Sequence, residues 1–80
     1  GGKMQARKKE MTQEEINLIK EIGQIRKAKN ITQRRLEELS GISQPNIVRF
    51  ERAVISPSVG TVLRVLRPMG YTLRIVRARN

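Results

Sequence analysis

Four hydroxyl-bearing residues, each placed just before a short amphipathic segment, constrain the fold of this chain more than any other feature. They are Thr12, Thr32, Ser43 and Ser58. A serine or threonine in this position accepts a hydrogen bond from a free N–H of the next helical turn and marks where a helix begins. Because four such starts fall within 80 residues, each helix must be short. The pattern predicts a bundle of short helices.

The first helix is predicted to begin at Thr12 and to end near Asn30. Thr12 and Glu15 have the spacing of a capping box, in which each side chain bonds the backbone N–H of the other residue. Isoleucines at helical spacing, Ile19 and Ile22 among them, form an apolar stripe. Asparagine suits the left-handed conformation that ends a helix, so Asn30 is the predicted stop.

Two shorter helices are predicted over residues 32–40 and 43–52. On the earlier one, Leu36 and Leu39 are expected to face inward. Gly41 supplies the tight turn between the two. Short helices joined by three or four residues that include a glycine form a helix-turn-helix unit.

The hydrophobic period changes after a fourth helix, which begins at Ser58 and is stopped by Pro68 and Gly70. Residues 71–77 alternate with a period of two, which predicts a short β-strand. Its apolar face consists of Tyr71, Leu73 and Ile75. A lone strand has an unpaired edge, and pairing with its own copy across a two-fold axis removes that edge. The three residues are therefore the predicted dimerisation contacts.

The charge of the chain favours a polyanionic partner. It has 17 Lys and Arg against 7 Asp and Glu, a formal net charge of +10. Such a balance favours nucleic acid or an acidic membrane surface. Only Phe50 and Tyr71 are aromatic, whereas readers of single strands and RNA stack bases on several exposed rings. Double-stranded DNA is therefore the better match.

The missing residue types exclude most catalytic and metal sites. The chain has no Cys and no His, which removes thiol nucleophiles, zinc fingers and histidine-based triads. Glu37 and Glu38 are adjacent, so they do not face each other as an acid–base pair. We expect no enzyme activity, no metal and no cofactor. No apolar run reaches the length of a membrane span or a signal-peptide core, so we expect a cytoplasmic protein without a membrane partner.

The third helix carries the predicted DNA contacts. Ile47 and Phe50 point toward the core, which leaves the opposite face for the major groove, whose base edges match amide and guanidinium groups. The predicted base contacts are Gln44, Pro45, Asn46, Val48 and Arg49. The predicted phosphate contacts are Gln33, Ser43, Arg52 and some of the C-terminal arginines. Two roles are open for Gln33, namely donation to a phosphate and bracing of Gln44.

A structural ion pair is also predicted between Arg26 and Glu51. Arg26 lies near the apolar stripe of the first helix, and Glu51 lies at the inner edge of the third. A half-buried pair of this kind fixes geometry more than it adds stability, whereas loss of one partner strands a charge.

Several segments together resemble the phage-repressor and Cro type of helix-turn-helix protein, also called the xenobiotic-response-element (XRE) family. They are residues 25–33 (IRKAKNITQ), 39–44 (LSGISQ), 47–52 (IVRFER) and 56–58 (SPS). The resemblance covers about residues 19–70. It implies a lambda-repressor-like bundle of four to five helices, a dimer on a pseudo-palindromic operator, and an Arg–Glu pair at the positions of Arg26 and Glu51.

The chain departs from the family pattern at several positions. Glu37 replaces a small residue that packs on the recognition helix, so the angle between these helices is expected to differ. Pro45 stands at a frequent base-contacting position without a hydrogen-bonding side chain, and Ala53 replaces the usual glycine after that helix. Gly60 and Pro68 weaken the fourth helix relative to the pattern.

We therefore expect a flexible basic arm over residues 1–11, a DNA-binding domain over 12–70, and a dimerising strand with a basic tail over 71–80. The leading hypothesis is a dimeric repressor of its own operon. The terminal strand also resembles HipB-type antitoxins, and HigA-type antitoxins share the helical part, so a toxin protein is an alternative partner. A transcriptional activator or phage lysogeny regulator is a third hypothesis, and a membrane-surface protein is a fourth.

Overall fold

A computed structural model describes residues 10–79 and contains four α-helices with short connections. The helices are α1 (Gln13–Ala28), α2 (Gln33–Ser40), α3 (Gln44–Glu51) and α4 (Val59–Leu66), and α4 continues into a single 3₁₀ turn (Arg67–Met69). The helical bundle and all four helix starts are therefore confirmed. Most of the predicted arm over 1–11 lies outside the described residues. Within residues 10–79, no helix is long and apolar enough to cross a membrane.

Side-chain caps explain three of the four helix starts. At α1 the capping box is complete: the Glu15 N–H donates to Thr12 Oγ1 at 3.1 Å, and the Thr12 N–H donates to Glu15 Oε1 at 2.8 Å. Thr32 and Ser58 accept from the third residue of their helices at 2.9 and 3.1 Å. Ser43 occupies the same position before α3 but forms no side-chain cap.

The core lies where α1, α3 and α4 meet around α2. Its nine buried apolar residues are Ile19, Ile22, Leu36, Ile47, Phe50, Val62, Val65, Leu66 and Met69. Leu36 and Ile47 are completely buried, so they set how α2 and α3 face the rest of the bundle. Leu39 is 41% exposed, which corrects the expectation that it faces inward. Leu39 lies one turn after Leu36, next to the end of α2 at Ser40, where the neighbouring elements cover less of the helix surface.

The tight turns use residues in the left-handed region. Asn30 has φ of 57° just after α1, as predicted, and Gly41 has φ of 80° in the turn between α2 and α3. Ala53 also has φ of 57° after α3. A side chain with a Cβ incurs a steric cost of about 1–2 kcal/mol in this conformation. Ala53 is therefore a strained position, which explains why glycine is the usual residue there in the resembling family.

The strand predicted over residues 71–77 is not formed in the single chain. Residues 71–79 contain neither helix nor strand, because a strand requires a hydrogen-bonded neighbour and the described residues offer none. Leu73 lines an apolar groove between α1 and α4, beside Leu18 and Val59. Ile75, two residues further along, is 100% exposed. The segment thus starts against the bundle and then leaves it.

Backbone strain at Gly41 can be separated from packing by substitution. A Cβ added at Gly41 meets no atom within 4 Å, so Gly41→Ala tests only the left-handed conformation and is expected to destabilise the protein by about 1 kcal/mol. Gly60 lies within helical α4, where Gly60→Ala makes only an ordinary contact with Ser58 and is expected to stabilise by about 0.5–1 kcal/mol. Urea unfolding measures the change in the free energy of unfolding for each variant. If both variants were stabilised, or both destabilised, the assignment of strain to Gly41 would be wrong.

Candidate nucleic-acid interface

The rotation of α3 about its own axis is fixed by two residues one turn apart. Ile47 and Phe50 are buried in the core, so the remaining faces of this eight-residue helix are turned outward. Of the predicted base contacts, Pro45, Asn46 and Arg49 are exposed, whereas Gln44 and Val48 are half-buried. Three polar or charged side chains and two apolar ones therefore lie near one another on or beside a single convex face. The exposed Arg52 lies at the C-terminal end of this face.

The N-terminal end of α3 is left without the usual side-chain cap. Ser43 is exposed and its hydroxyl makes no bond to the first turn. Pro45 occupies that turn and has no N–H to satisfy, so the need for a cap is smaller. The turn is held from the other side, because the Ile42 N–H donates to Ser40 Oγ at 3.1 Å. The Ser43 hydroxyl is thus available to a ligand.

The structure brings Arg26 and Glu51 together as a two-pronged pair. Arg26 Nε donates to Glu51 Oε2 at 2.6 Å, and Nη2 donates to Oε1 at 3.0 Å. The two side chains are only 10% and 13% exposed. Arg26 Nη1 also donates to the Ile31 carbonyl at 2.7 Å. One guanidinium therefore ties α1 to α3 and to the residues just before α2.

Gln33 joins this pair, which sequence reasoning missed. Gln33 Nε2 donates to Glu51 Oε1 at 3.0 Å. A carboxylate only accepts hydrogen bonds, so the amide nitrogen must face Glu51 while its second hydrogen remains free to donate elsewhere. This contact takes the place of the predicted brace to Gln44. The sequence contains little indication of this contact. The start of α2 and the end of α3 come close together only when the helices pack, and no local pattern records that packing.

A second unpredicted contact fixes the loop after α3. Ser56 Oγ donates to Glu15 Oε2 at 2.6 Å, so the same carboxylate that caps α1 also holds residues between α3 and α4. Sequence reasoning assigned Glu15 to the capping box alone. The contact spans 41 residues, a separation at which no local pattern exists to be read.

The charges of the interface are almost entirely positive. Glu51 is the acidic residue of α3, and it is neutralised by Arg26. Arg49 and Arg52 remain exposed on α3, and Arg64 is exposed on α4 nearby, lining the same cleft as Arg49. Within residues 10–79 no three acidic side chains come close enough together to hold a metal ion. The arrangement of exposed arginines suits an extended anion.

The Arg26–Glu51 pair provides a stability test with an internal control. Glu51→Ala leaves a buried guanidinium without its carboxylate and is expected to lower the free energy of unfolding by about 3 kcal/mol. Arg26→Ala should cost a similar amount, and the double variant should cost clearly less than the sum, because the stranded charge is then absent. The control is Glu38→Ala, since Glu38 pairs with Arg35 at 2.8 Å with both side chains 58% exposed. That change should cost less than about 1 kcal/mol. Additive losses at Arg26 and Glu51 in urea unfolding would show that the pair is not coupled.

Comparison with known proteins gives concordant results. A family model described as helix-turn-helix matches residues 22–76. An HTH-type transcriptional regulator of Haemophilus influenzae, itself uncharacterized, is 44% identical over 64 residues, which cover 80% of this chain and 65% of the relative. The HTH-type transcriptional regulator PuuR of Escherichia coli is 32% identical over 63 residues, covering 79% of this chain and 34% of PuuR. The chain thus spans between one third and two thirds of the length of these relatives.

Similarity to a solved structure agrees with these findings. That structure is a toxin–antitoxin module from Streptococcus pneumoniae, which superposes with a TM-score of 0.70 at 40% sequence identity, over 84% of this chain and 74% of the other. The family match covers more than half of the chain, and the named relatives are transcriptional regulators. These findings confirm the resemblance, and the chain belongs to the XRE-type helix-turn-helix family of transcriptional regulators.

Proposed function

We propose that this protein is a sequence-specific binder of double-stranded DNA that acts as a dimeric repressor, with its own operon as target. The observation that carries the proposal is the outward face of α3, where Asn46 and Arg49 are exposed on a helix that Ile47 and Phe50 lock to the core. A rigid helix of this diameter fits the major groove. Its side chains can then address base edges with little loss of conformational freedom.

The base contacts divide by chemistry. Arg49 matches the two acceptors of guanine, and Asn46 or Gln44 matches adenine. Val48 offers a surface for a thymine methyl group. Pro45 contributes shape and no hydrogen bond, so specificity at its base pair rests on van der Waals contact. Because Pro45 removes a donor from a position that usually supplies one in the family, we expect the preferred operator to differ at that base pair.

The phosphate contacts flank this face. Ser43 lies at the start of α3 with an uncapped hydroxyl, and Arg52 lies at its other end. Gln33 retains one amide hydrogen after its bond to Glu51, so it can donate to a phosphate while remaining anchored. A donor that is already anchored loses less entropy on binding than a free side chain. We therefore assign Gln33 two roles, namely the observed anchoring to Glu51 and donation to a phosphate.

Base reading by Arg49 can be tested by titrating the protein into the DNA upstream of its gene and into a scrambled duplex of equal length. Arg49→Ala is expected to reduce the preference for upstream DNA roughly 5–150-fold, which corresponds to one lost two-pronged base contact. Arg67→Ala, which removes an equal charge from an exposed position outside α3, should leave the preference unchanged. Fluorescence anisotropy at two salt concentrations provides the affinities.

If wild type binds both duplexes equally and releases them together as salt rises, charge alone is acting and the repressor proposal fails. The second candidate function would then lead, namely an antitoxin that acts mainly by neutralising a toxin protein. It is supported by the similar structure, a toxin–antitoxin module. Rescue of growth by this chain when the product of an adjacent gene arrests it would distinguish that function from repression alone.

The dimer is proposed to form through residues 71–77. In an antiparallel pair of identical segments, a two-fold axis at Leu73 places Tyr71 opposite the second copy's Ile75 and Thr72 opposite its Arg74. An axis at Arg74 instead places two guanidiniums opposite each other, which is unfavourable. The Leu73 register pairs an aromatic with a β-branched residue, a favourable combination. It also covers Ile75, which is fully exposed in the single chain.

The face used in this dimer can be tested with one substitution placed at neighbouring residues. Ile75→Lys puts a charge on the inner face and is expected to shift the protein from dimer to monomer. Val76→Lys makes the same change on the outer face, where Val76 is 79% exposed, and should leave the dimer intact. Light scattering after size exclusion reports the mass of each variant. Two dimeric variants, or two monomeric ones, would contradict the proposed pairing.

A further inference from the structure

An open cleft lies between α3 and α4, next to the predicted base-reading face. Ser43, Asn46 and Arg49 line one side, and Thr61 and Arg64 from α4 line the other. Residues 55–58, which connect the two helices, also line the cleft. Two arginines from different helices therefore face one space. Nothing in the fold requires this, because Arg49 and Arg64 are both exposed and neither packs in the core.

All charged residues that line this cleft are positive. No carboxylate of the described residues lines it. Three other clefts each include at least one, contributed by Glu37 and Glu38 in the first, Glu10 in the second and Glu15 in the third. The ion pairs seen in residues 10–79 use Arg26 and Arg35, so neither arginine of the cleft is neutralised by a described acidic residue. The Ser43 hydroxyl and the Asn46 amide add uncharged donors. The cleft is therefore built for an anion.

Geometry identifies which anion can reach it. The major groove is about 12 Å wide and a helix with its side chains is about 10–12 Å across. When α3 fills the groove, a sugar–phosphate backbone must run directly along each flank of the helix. The cleft opens on the flank that carries Asn46 and Arg49. A backbone phosphate is the anion that enters this space as a consequence of base reading itself.

We propose that this cleft seats one phosphodiester of the bound duplex and that Arg64, on α4, is a DNA contact that senses charge but not sequence. The inference rests on the proposed function of α3. It gives the two arginines of one cleft different roles, since Arg49 reaches the base edge whereas Arg64 holds the backbone beside it. The α4 helix thus takes part in binding and is more than a support for the core.

The test compares Arg64→Gln with Arg67→Gln. Both remove one charge from an exposed arginine, and Arg67 does not line the cleft. Arg64→Gln is expected to weaken binding to upstream and scrambled duplexes by the same factor, roughly 5–10-fold near 0.1 M salt, and to lower the slope of log K against log salt by about 1. Arg67→Gln should change affinity less than about twofold. Arg64→Lys should restore binding, because a phosphate accepts a point charge.

Three outcomes would overturn the inference. Equal effects of Arg64→Gln and Arg67→Gln would mean that only net charge matters. A loss confined to upstream DNA would make Arg64 a base reader. A lowered melting temperature for Arg64→Gln, with binding lost and not restored by Arg64→Lys, would make its role structural. Failure of the proposed function appears differently, as wild-type protein that does not distinguish the two duplexes at all.

Discussion

The hydrogen-bonded group formed by Arg26, Glu51 and Gln33 is the interaction on which the rest of the structure depends. It joins α1, the start of α2 and the end of α3 within a part of the chain that has nine buried apolar residues and no disulfide. Apolar contacts are non-directional and tolerate small rotations of one helix on another. A two-pronged ion pair does not tolerate such rotations, because both of its hydrogen bonds must keep their geometry. The core therefore supplies most of the stability, while this group sets the angle at which α3 is presented.

The helices could be predicted from the sequence because their signals are local. Capping residues, glycine in the α2–α3 turn and asparagine after α1 act within a few residues of themselves, and all of them lie where expected. The pairing of Arg26 with Glu51 could be predicted because each lies at the edge of an apolar stripe. The contacts of Gln33 with Glu51 and of Glu15 with Ser56 could not, since both depend on how complete helices pack.

The misplacement of Leu39 and the missing strand have related physical causes. Periodicity states which residues share a face but not how much of that face the neighbours can cover, so one leucine of α2 is buried and the other is 41% exposed. In residues 71–77 the alternation is present, yet residues 10–79 of a single chain offer no strand edge to pair with. The hydrophobic period of a segment indicates which secondary structure it can form. Whether its side chains are buried, or its backbone is paired, depends on the neighbouring parts of the fold.

Because residues 71–77 need a partner to form a strand, the proposed dimerisation and the proposed DNA contacts are connected. A single copy of α3 reaches only a few base pairs, and two copies held at a fixed distance add their contacts and select a spaced, two-fold symmetric site. In the proposed dimer, the segment that follows α4 sets this spacing, while α4 itself supplies the wall that carries Arg64. A change in how the terminal segments pair would therefore move α4 and its phosphate contact together with α3. The proposed dimer geometry and the proposed backbone contact therefore depend on one continuous piece of chain.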